Sequence, residues 1–394
     1  MLNRKALSPL LKKDGIRSLT ASLLSILLGL LTGCIIILAV SLADKKIDLE
    51  AGLDAVKLIL FGVFAKGRDA SGNLVFGLGG TNIGNLLFRA TPVIMTGLSV
   101  TFAFKTGLFN IGASGQYLMG TAASLIVALS LPEALPSFIR WICAFISAMA
   151  AGALWGSIPG FLKARFKINE VLSSIMTNWI AANLVTSIFE NSSLRNSSQS
   201  GKIGYIMPTS MKGVATAKLG LDRIFSSSQI NGGIIVAIIF AVIIYIVLFK
   251  TTFGFENRAC GSNLHAAEYA GINSKRKTVL AMAIAGALAG GGAALYYLSG
   301  GTEFFWSTYQ SLPQEGFNGI PVALLASNNP LGVIFTACFM SSLGVAGQQL
   351  KDLTAYNEYV ADIIIAVIVY LSAFSFVIGQ LIFSKRKRER EAVK

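Results

Sequence analysis

Residues 18–40, SLTASLLSILLGLLTGCIIILAV, form an uncharged apolar run. About 20 such residues cross the ~30 Å hydrocarbon core of a bilayer as an α-helix. The run is longer than the apolar centre of a signal peptide and lacks a convincing cleavage site. We therefore interpret it as a retained first transmembrane helix.

Apolar runs of similar length recur along the whole chain. Of its 394 residues, 54% are hydrophobic and 13% are charged, whereas soluble domains carry roughly 25% charged residues. Transmembrane β-barrels are built instead from alternating strands of about ten residues. The sequence therefore predicts an all-α polytopic membrane protein with about ten transmembrane helices. The predicted spans are 19–43, 84–104, 107–130, 138–162, 170–190, 231–250, 278–299, 316–328, 331–349 and 360–383.

The eighth predicted span, 316–328, is short, and a re-entrant half-helix there would leave nine spans. Ten spans place both basic ends, 1–18 and 384–394, in the cytoplasm, which the usual distribution of Lys and Arg favours. The net charge of +14 then reflects topology and anionic lipid headgroups, and we expect no nucleic-acid partner. Between the ends, 19–383 is one transmembrane domain, with external loops at 44–83 and 191–230 and a cytoplasmic loop at 251–277.

Several function classes are disfavoured by what the sequence lacks. It contains no Gly-x-x-x-x-Gly-Lys-Ser/Thr phosphate loop, and one His cannot supply a nucleophile–base pair. Ion-coupled carriers usually need carboxylates or histidines inside the membrane, and the predicted spans carry almost none. We expect no catalytic residue, no metal site and no cofactor in this chain. An ion-coupled transporter and a membrane enzyme remain less favoured alternatives.

The stretch GLFNIGASGQYLMG (107–120) places four glycines, an Asn and a Gln inside a predicted span. Unwound backbone at membrane depth is tolerated only where it is buried in protein or lines water. We therefore expect this stretch to border a solute path lined by neutral polar and aromatic side chains. The alternative is that these groups only join neighbouring helices by hydrogen bonds. The predicted pathway residues are Phe109, Asn110, Ser114, Gln116, Tyr117, Thr177, Asn178, Trp179, Phe317 and Asn318.

A second stretch, EGFNGIPVALLA (315–326), echoes the first, because both place Phe-Asn beside a glycine. In the ten-span topology the two stretches run in opposite directions. This is the arrangement expected of an inverted repeat with broken or short helices near the membrane midplane.

Five motifs in fixed order resemble the membrane permeases of ABC importers for simple sugars, nucleosides and branched-chain amino acids. The resemblance covers about residues 84–383 and is closest to the larger permease of bacterial nucleoside importers. Ser114 stands where the family usually has Glu, Leu264 where it has Pro, and Asn318 where it often has Asp. The motifs are FNIGASGQYLMG (109–120), INEVLSSIMTNWIAANL (168–184), ACGSNLHAAEYAGINSKRK (259–277), AGALAGGGAAL (285–295) and GFNGIPVALLASNNPLG (316–332).

The resemblance implies a non-enzymatic subunit that forms the translocation pathway for nucleosides in a bacterial cell membrane. A simple sugar such as ribose is the alternative solute. The implied partners are a second permease or second copy, an extracytoplasmic substrate-binding lipoprotein, and a cytoplasmic ATPase that would hold ATP and magnesium.

The resemblance also implies that 261–271 is a coupling helix that docks on the ATPase. We expect Ala266, Ala267 and Ala270 to present a smooth surface there, and Gly261 and Gly271 to end the helix. The predicted coupling residues are Gly261, Asn263, His265, Ala266, Ala267, Glu268, Tyr269 and Gly271.

Overall fold

A computed structural model describes residues 14–43, 48–196, 201–202, 204–306, 311–357 and 359–373. Most of the predicted N-terminal basic segment, the whole tail 384–394 and residues 374–383 of the last predicted span lie outside these ranges. The account below concerns the described residues.

Fourteen α-helices account for most of the described chain, and a helix lies on each of the ten predicted spans. Seven of the helices are long and apolar enough to cross a membrane. The predicted all-α polytopic membrane fold is confirmed. The helices are α1 Asp14–Ala43, α2 Leu49–Phe61, α3 Gly80–Lys105, α4 Ala113–Ser130, α5 Ser137–Phe166, α6 Glu170–Glu190, α7 Leu221–Ile224, α8 Gly233–Lys250, α9 Thr252–Ser262, α10 Leu264–Tyr269, α11 Ser274–Tyr297, α12 Gln314–Leu325, α13 Pro330–Leu353 and α14 Tyr359–Ala373.

The chain divides into two compact units. Among the described residues, one unit comprises those within 14–82, 324–327 and 339–373, and the other comprises those within 83–323 and 328–338. We call them the terminal unit and the central unit.

In the terminal unit, α1 packs against α14 through small residues. A Cβ on Gly33 would lie 2.8 Å from Ile364 Cδ1, so the glycine leaves room for the isoleucine. Small residues allow close helix approach in membrane proteins. The Tyr356 hydroxyl also donates a 3.0 Å hydrogen bond to the Ile37 carbonyl oxygen, which fixes the segment before α14 against α1.

The loop predicted at 44–83 contains structure that the sequence did not reveal. Helix α2 is followed by an antiparallel hairpin of β1 Ala65–Arg68 and β2 Leu74–Phe76. Arg68 on β1 pairs with the buried Asp54 of α2 at 2.9 Å and donates to the Leu353 carbonyl oxygen at 3.0 and 3.1 Å. One arginine therefore ties the hairpin to α2 and to the end of α13.

The central unit is held by a glycine seam between α5 and α11. A Cβ on Gly286 would lie 2.8 Å from the carbonyl carbon of Gly152, and one on Gly290 would lie 3.1 Å from that of Ala148. Both contacts are tighter than most side chains tolerate, so the helices approach to backbone distance. Gly286 and Gly290 are four residues apart, which places both on the same face of α11.

The central unit has two ends. At the loop end, Ile206 and Met207 pack with Leu129 of α4, Phe189 of α6 and Trp306 in one apolar cluster. The opposite end, which we call the α10 end, holds α9 and α10 beside the end of α3, since a Cβ on Gly261 would lie 2.5 Å from the Lys105 carbonyl oxygen.

The external loop predicted at 191–230 is partly packed into the fold. Ile206 and Val214 are fully buried, and the buried Arg140 donates a 2.7 Å hydrogen bond to the Lys212 carbonyl oxygen. The loop is polar in overall composition, but Ile206 and Val214 pack it against the rest of the protein.

Candidate functional site

The backbone departs from a regular helix at the position predicted from the sequence. Helix α3 ends at Lys105, residues 106–112 are not helical, and α4 begins only at Ala113. Gly107 has φ +76°, a left-handed conformation that glycine adopts without steric cost. The span predicted at 107–130 is therefore a non-helical entry followed by a shorter helix.

The eighth predicted span is broken in a similar way. Helix α12 has 12 residues, which at 1.5 Å per residue covers about 18 Å, roughly half of the hydrocarbon core. Before it, Phe304 and Trp306 lie at the loop end, whereas Ala323 in α12 packs with Val100 of α3. The chain thus passes from the loop end toward the α10 end, which favours a crossing over a re-entrant turn.

The N-termini of the two broken helices meet. The Ser114 hydroxyl of α4 donates a 2.5 Å hydrogen bond to the Pro313 carbonyl oxygen, directly before α12. A Cβ on Gly316 would lie 2.7 Å from the Ser114 nitrogen, so only glycine fits there. We call this contact the α4–α12 junction.

The two helices leave the junction in opposite directions. Helix α4 carries Leu129 to the loop end, and α12 carries Ala323 away from it. The antiparallel relationship matches the inverted arrangement predicted from the sequence echo. The two Phe-Asn pairs are not equivalent in structure, however, because Asn110 precedes α4 whereas Asn318 lies within α12.

Helix α3 holds α12 in place. The Thr96 hydroxyl donates a 2.8 Å hydrogen bond to the Glu315 carbonyl oxygen, and a Cβ on Gly319 would lie 2.6 Å from the Thr96 carbonyl carbon. Sequence reasoning missed Thr96, Pro313 and Glu315. The paired glycines at 316 and 319 were the available signal that a backbone approaches closely.

Asn110 and Gln116 form a reciprocal amide pair. The Asn110 Nδ2 donates to Gln116 Oε1 at 2.9 Å, and Gln116 Nε2 donates to Asn110 Oδ1 at 3.0 Å. Asn110 Nδ2 also donates to the Ser99 hydroxyl on α3 at 3.1 Å. Both amides are 1% exposed, so in this conformation they stabilise the non-helical backbone of residues 106–112 from inside the protein.

Asn178 of α6 acts as a cap supplied by another helix. Its Oδ1 accepts a 2.9 Å hydrogen bond from the Gly115 amide, and its Nδ2 donates to the Ile111 carbonyl oxygen at 3.0 Å. The first amides of a helix have no partner within it, and α4 begins after a glycine that cannot cap it. Asn178 therefore provides hydrogen-bond partners for backbone groups both before and after the start of α4.

Two buried hydroxyls at this site have no hydrogen-bond partner among the described residues: those of Tyr117 and Ser174. Both residues are 0% exposed. The Tyr117 ring meets Tyr297 edge-on at 6.4 Å between centroids, and Tyr297 meets Phe304 at 5.3 Å. Native proteins leave few such groups unsatisfied, and each one requires an explanation.

The other predicted pathway residues lie at varying distance from the junction. Phe317 and Asn318 are half-buried on α12, and Thr177 bonds the Ser174 carbonyl oxygen of its own helix. Phe109 is half-buried and meets Phe104 edge-on at 5.2 Å. Trp179 is 54% exposed among apolar side chains of α6, and the structure does not bring it to the junction.

Asn169 caps the N-terminus of α6. Its Oδ1 accepts a 2.8 Å hydrogen bond from the Val171 amide, and Glu170 in the first turn pairs with Lys163 at the end of α5. These contacts account for both polar residues as structural elements of the α10 end.

The predicted coupling segment forms two helices, α9 and α10. Asn263 lies between them, and its Oδ1 accepts a 3.1 Å hydrogen bond from the Ala266 amide at the start of α10. The prediction that Ala267 belongs to an exposed surface is wrong, because it is 4% exposed and faces the rest of the chain. Tyr269, 98% exposed, and Leu264, 44% exposed, stand out instead.

The glycines that bound this segment have different roles. Gly271 has φ +82° and follows the last turn of α10, which confirms its predicted position. The prediction that Gly261 bounds the coupling helix is wrong. Gly261 lies inside α9, where the missing side chain leaves room for the end of α3. His265 and Ala266 are exposed, and Glu268 accepts a hydrogen bond from the Ser274 hydroxyl.

Helices of membrane-spanning length, together with two broken helices whose N-termini meet inside the unit, define a multi-pass membrane transport protein. Residues 82–383 match the family described as the permease component of the branched-chain amino acid transport system. The chain belongs to this family of permeases.

Related permeases have been named for several solutes. The chain is 37% identical over 307 residues to the guanosine ABC transporter permease protein NupP of Bacillus subtilis, covering 78% of this chain and 85% of that one. It is 36% identical to the nucleoside ABC transporter permease protein NupB of Lactococcus lactis, covering 75% and 80%. It is 32% identical to the glucose ABC transporter permease protein TsgB13 of Haloferax volcanii, covering 72% and 74%. No solved structure matches the chain.

Proposed function

We propose that the chain forms the translocation pathway of an ATP-driven ABC importer for nucleosides in a bacterial cell membrane. The observation that carries the proposal is the α4–α12 junction, in a permease that is similar over three quarters of its length to permeases named for guanosine and nucleosides. Ser114 and Pro313 close the path between the two helix N-termini.

The chemistry around the junction suits a neutral solute with hydroxyl groups and a ring. If α12 moves away from α4, the hydroxyls of Ser114, Tyr117 and Ser174 gain access to solute. Hydroxyls can bond the polar edges of a nucleoside, and rings can stack on its base. An opening that gives buried unsatisfied hydroxyls a partner removes a desolvation cost of about 1–3 kcal/mol per group.

The amides have a different place in this proposal. Asn110, Gln116 and Asn178 hold the open backbone of α4 in shape, so that Ser114 is presented at the junction. Phe109, Thr177, Phe317 and Asn318 complete the predicted lining, with Phe317 and Asn318 carried on the moving helix. Trp179 remains a predicted pathway residue that requires a rearrangement of α6 to reach solute.

The energy comes from a partner ATPase that holds ATP and magnesium, and this subunit performs no chemistry itself. Helix α10 is proposed to dock on that ATPase through Leu264, His265, Ala266 and Tyr269. Asn263, between α9 and α10, accepts a hydrogen bond from the Ala266 amide of α10, and the Glu268 side chain of α10 accepts one from the Ser274 hydroxyl of α11. A push on α10 is therefore transmitted to the spans.

The complete importer would contain a second permease or a second copy of this one and an extracytoplasmic substrate-binding lipoprotein. The α10 end faces the cytoplasm in this proposal, and so do both termini. Basic residues cluster at this end, as expected for a cytoplasmic face; they include Lys105, Lys163, Arg165, Lys167, Lys250, Arg258, Lys275, Arg276 and Lys277.

A simple sugar is the second candidate solute, since a glucose permease is 32% identical to this chain. The test is uptake of radiolabelled guanosine, uridine, ribose and glucose by vesicles that contain the chain with its neighbouring ATPase, permease and lipoprotein. ATP-dependent uptake of a nucleoside supports the proposal, and uptake of only the sugars assigns the alternative. Uptake driven by an ion gradient without the ATPase overturns both.

A further inference from the structure

Two cations share one aromatic ring at the α10 end. Lys105 is the last residue of α3, and its Nζ lies 5.9 Å from the centroid of the Phe249 ring. The Arg258 guanidinium carbon on α9 lies 5.1 Å from the same centroid. Phe249 belongs to the last turn of α8, so three separate elements meet here.

Neither cation has an ionic partner in the part of the chain that the structure describes. The Glu256 carboxylate of α9 forms an ion pair with Lys277 on α11. The Glu268 carboxylate accepts a hydrogen bond from the Ser274 hydroxyl. Lys105 and Arg258 are half-buried and close enough to interact electrostatically. Like charges repel most strongly where water is partly excluded.

The Arg258 side chain is also incompletely bonded. Its Nε is buried without a hydrogen-bond partner among the described residues. A cation–π interaction can stabilise one positive charge beside Phe249. The negative C-terminal end of the α3 dipole can stabilise Lys105. Neither effect explains two adjacent cations or the unsatisfied Nε.

We propose that Lys105 and Arg258 bind a phosphate group. An arginine fork matches the oxygens of a phosphate, and a lysine adds a point charge. The site lies at the ends of α3 and α8, where a bilayer places its headgroups, and Tyr245 packs on Phe249 one turn further into α8. Basic pockets between membrane helices bind anionic headgroups, so an anionic phospholipid is the expected source of the phosphate.

The test uses the full chain purified in detergent and titrated by native mass spectrometry with phosphatidylglycerol or phosphatidylcholine. We expect the chain to prefer phosphatidylglycerol. Lys105→Gln and Arg258→Gln should each weaken that binding about fivefold, since a cation near an anionic headgroup contributes on this order. Lys105→Arg should retain it. Lys250→Gln is the matched control, because Lys250 is an exposed cation at the same end, and its loss should weaken the binding less than the loss of either Lys105 or Arg258.

Inorganic phosphate separates the two sources of the ligand. If inorganic phosphate competes with phosphatidylglycerol, and the competition is lost in Lys105→Gln and Arg258→Gln, the site is supported with a free phosphate species as its ligand. If phosphate does not compete, the lipid is supported as the ligand. An unchanged preference for phosphatidylglycerol in the Lys105→Gln, Arg258→Gln double variant, with thermal stability intact, would overturn the proposal. This result would leave the transport proposal untouched.

Discussion

The hydroxyl of Ser114 donates a 2.5 Å hydrogen bond to the carbonyl oxygen of Pro313. This bond joins the first turn of α4 to the residue before α12, although the two residues are almost 200 positions apart. Around it, Thr96 holds Glu315 and Asn178 holds Gly115. In the proposed pathway, the closing contact therefore lies where two helices begin, and it is made by backbone groups and small side chains.

Gly316→Ala should abolish the closed junction. The added methyl group would meet the backbone of Ser114, with the nitrogen only 2.7 Å away, so α12 must shift outward. We expect nucleoside uptake to fall at least tenfold while the chain still inserts into the membrane. Gly301→Ala is the matched control, because a Cβ at Gly301 meets nothing within 4 Å; equal uptake by both variants would contradict the close approach.

Asn178→Ala should destabilise the start of α4. It removes the acceptor for the Gly115 amide and the donor for the Ile111 carbonyl, and unsatisfied buried groups cost about 1–3 kcal/mol. The measurement is the thermal unfolding midpoint in detergent, which we expect to fall. Asn183→Ala on the exposed side of the same helix serves as the control, and a similar midpoint for the two variants argues against the cap.

Tyr269→Ala should uncouple the ATPase without weakening the fold. The tyrosine is 98% exposed and contributes no packing within the chain. In the reconstituted importer we expect solute uptake to drop about tenfold, as for a central interface residue worth about 1.4 kcal/mol, with an unchanged unfolding midpoint. Ala267→Leu should do the reverse and lower the midpoint, because overpacking a buried site costs about 1–3 kcal/mol. Normal uptake by Tyr269→Ala would remove α10 from the coupling path.

Arg68→Ala should loosen the hairpin of the terminal unit. It leaves the carboxylate of Asp54, a residue only 7% exposed, with Lys57 alone, and it removes the bonds to Leu353. Hydrogen exchange should accelerate in residues 65–76 and at the end of α13. Lys57→Ala provides the comparison, since the Lys57 side chain is 57% exposed and exposed pairs contribute little. Unchanged exchange after loss of Arg68 would show that the hairpin is held by other contacts.

The sequence predicted the helices well because apolar runs of membrane length leave the chain few other options. The break before α4 was also predictable, since Gly107 and Gly112 flank polar residues at membrane depth. The cap by Asn178 was not predictable, because its partners Ile111 and Gly115 lie more than 60 positions away. Nothing local distinguishes an Asn that lines a cavity from one that closes a helix end.

Other misses have equally physical causes. The hairpin at 65–76 was missed because its strands have four and three residues, too short for an alternating pattern. Ala267 was assigned to a surface because alanine is small enough for either face of a short helix. The structure places it inward, where its methyl group fits against the chain, and leaves Tyr269 outside.

The most direct test of the α4–α12 junction is the accessibility of residue 114. In a variant with the native cysteines at 34, 143, 260 and 338 replaced, Ser114→Cys is treated with a water-soluble maleimide in the complete importer. Ser114 is fully buried here, so the thiol should be protected at rest, become labelled during ATP turnover and be protected again by excess nucleoside. A thiol that stays unlabelled in every nucleotide state, in a variant that still transports, would contradict the account.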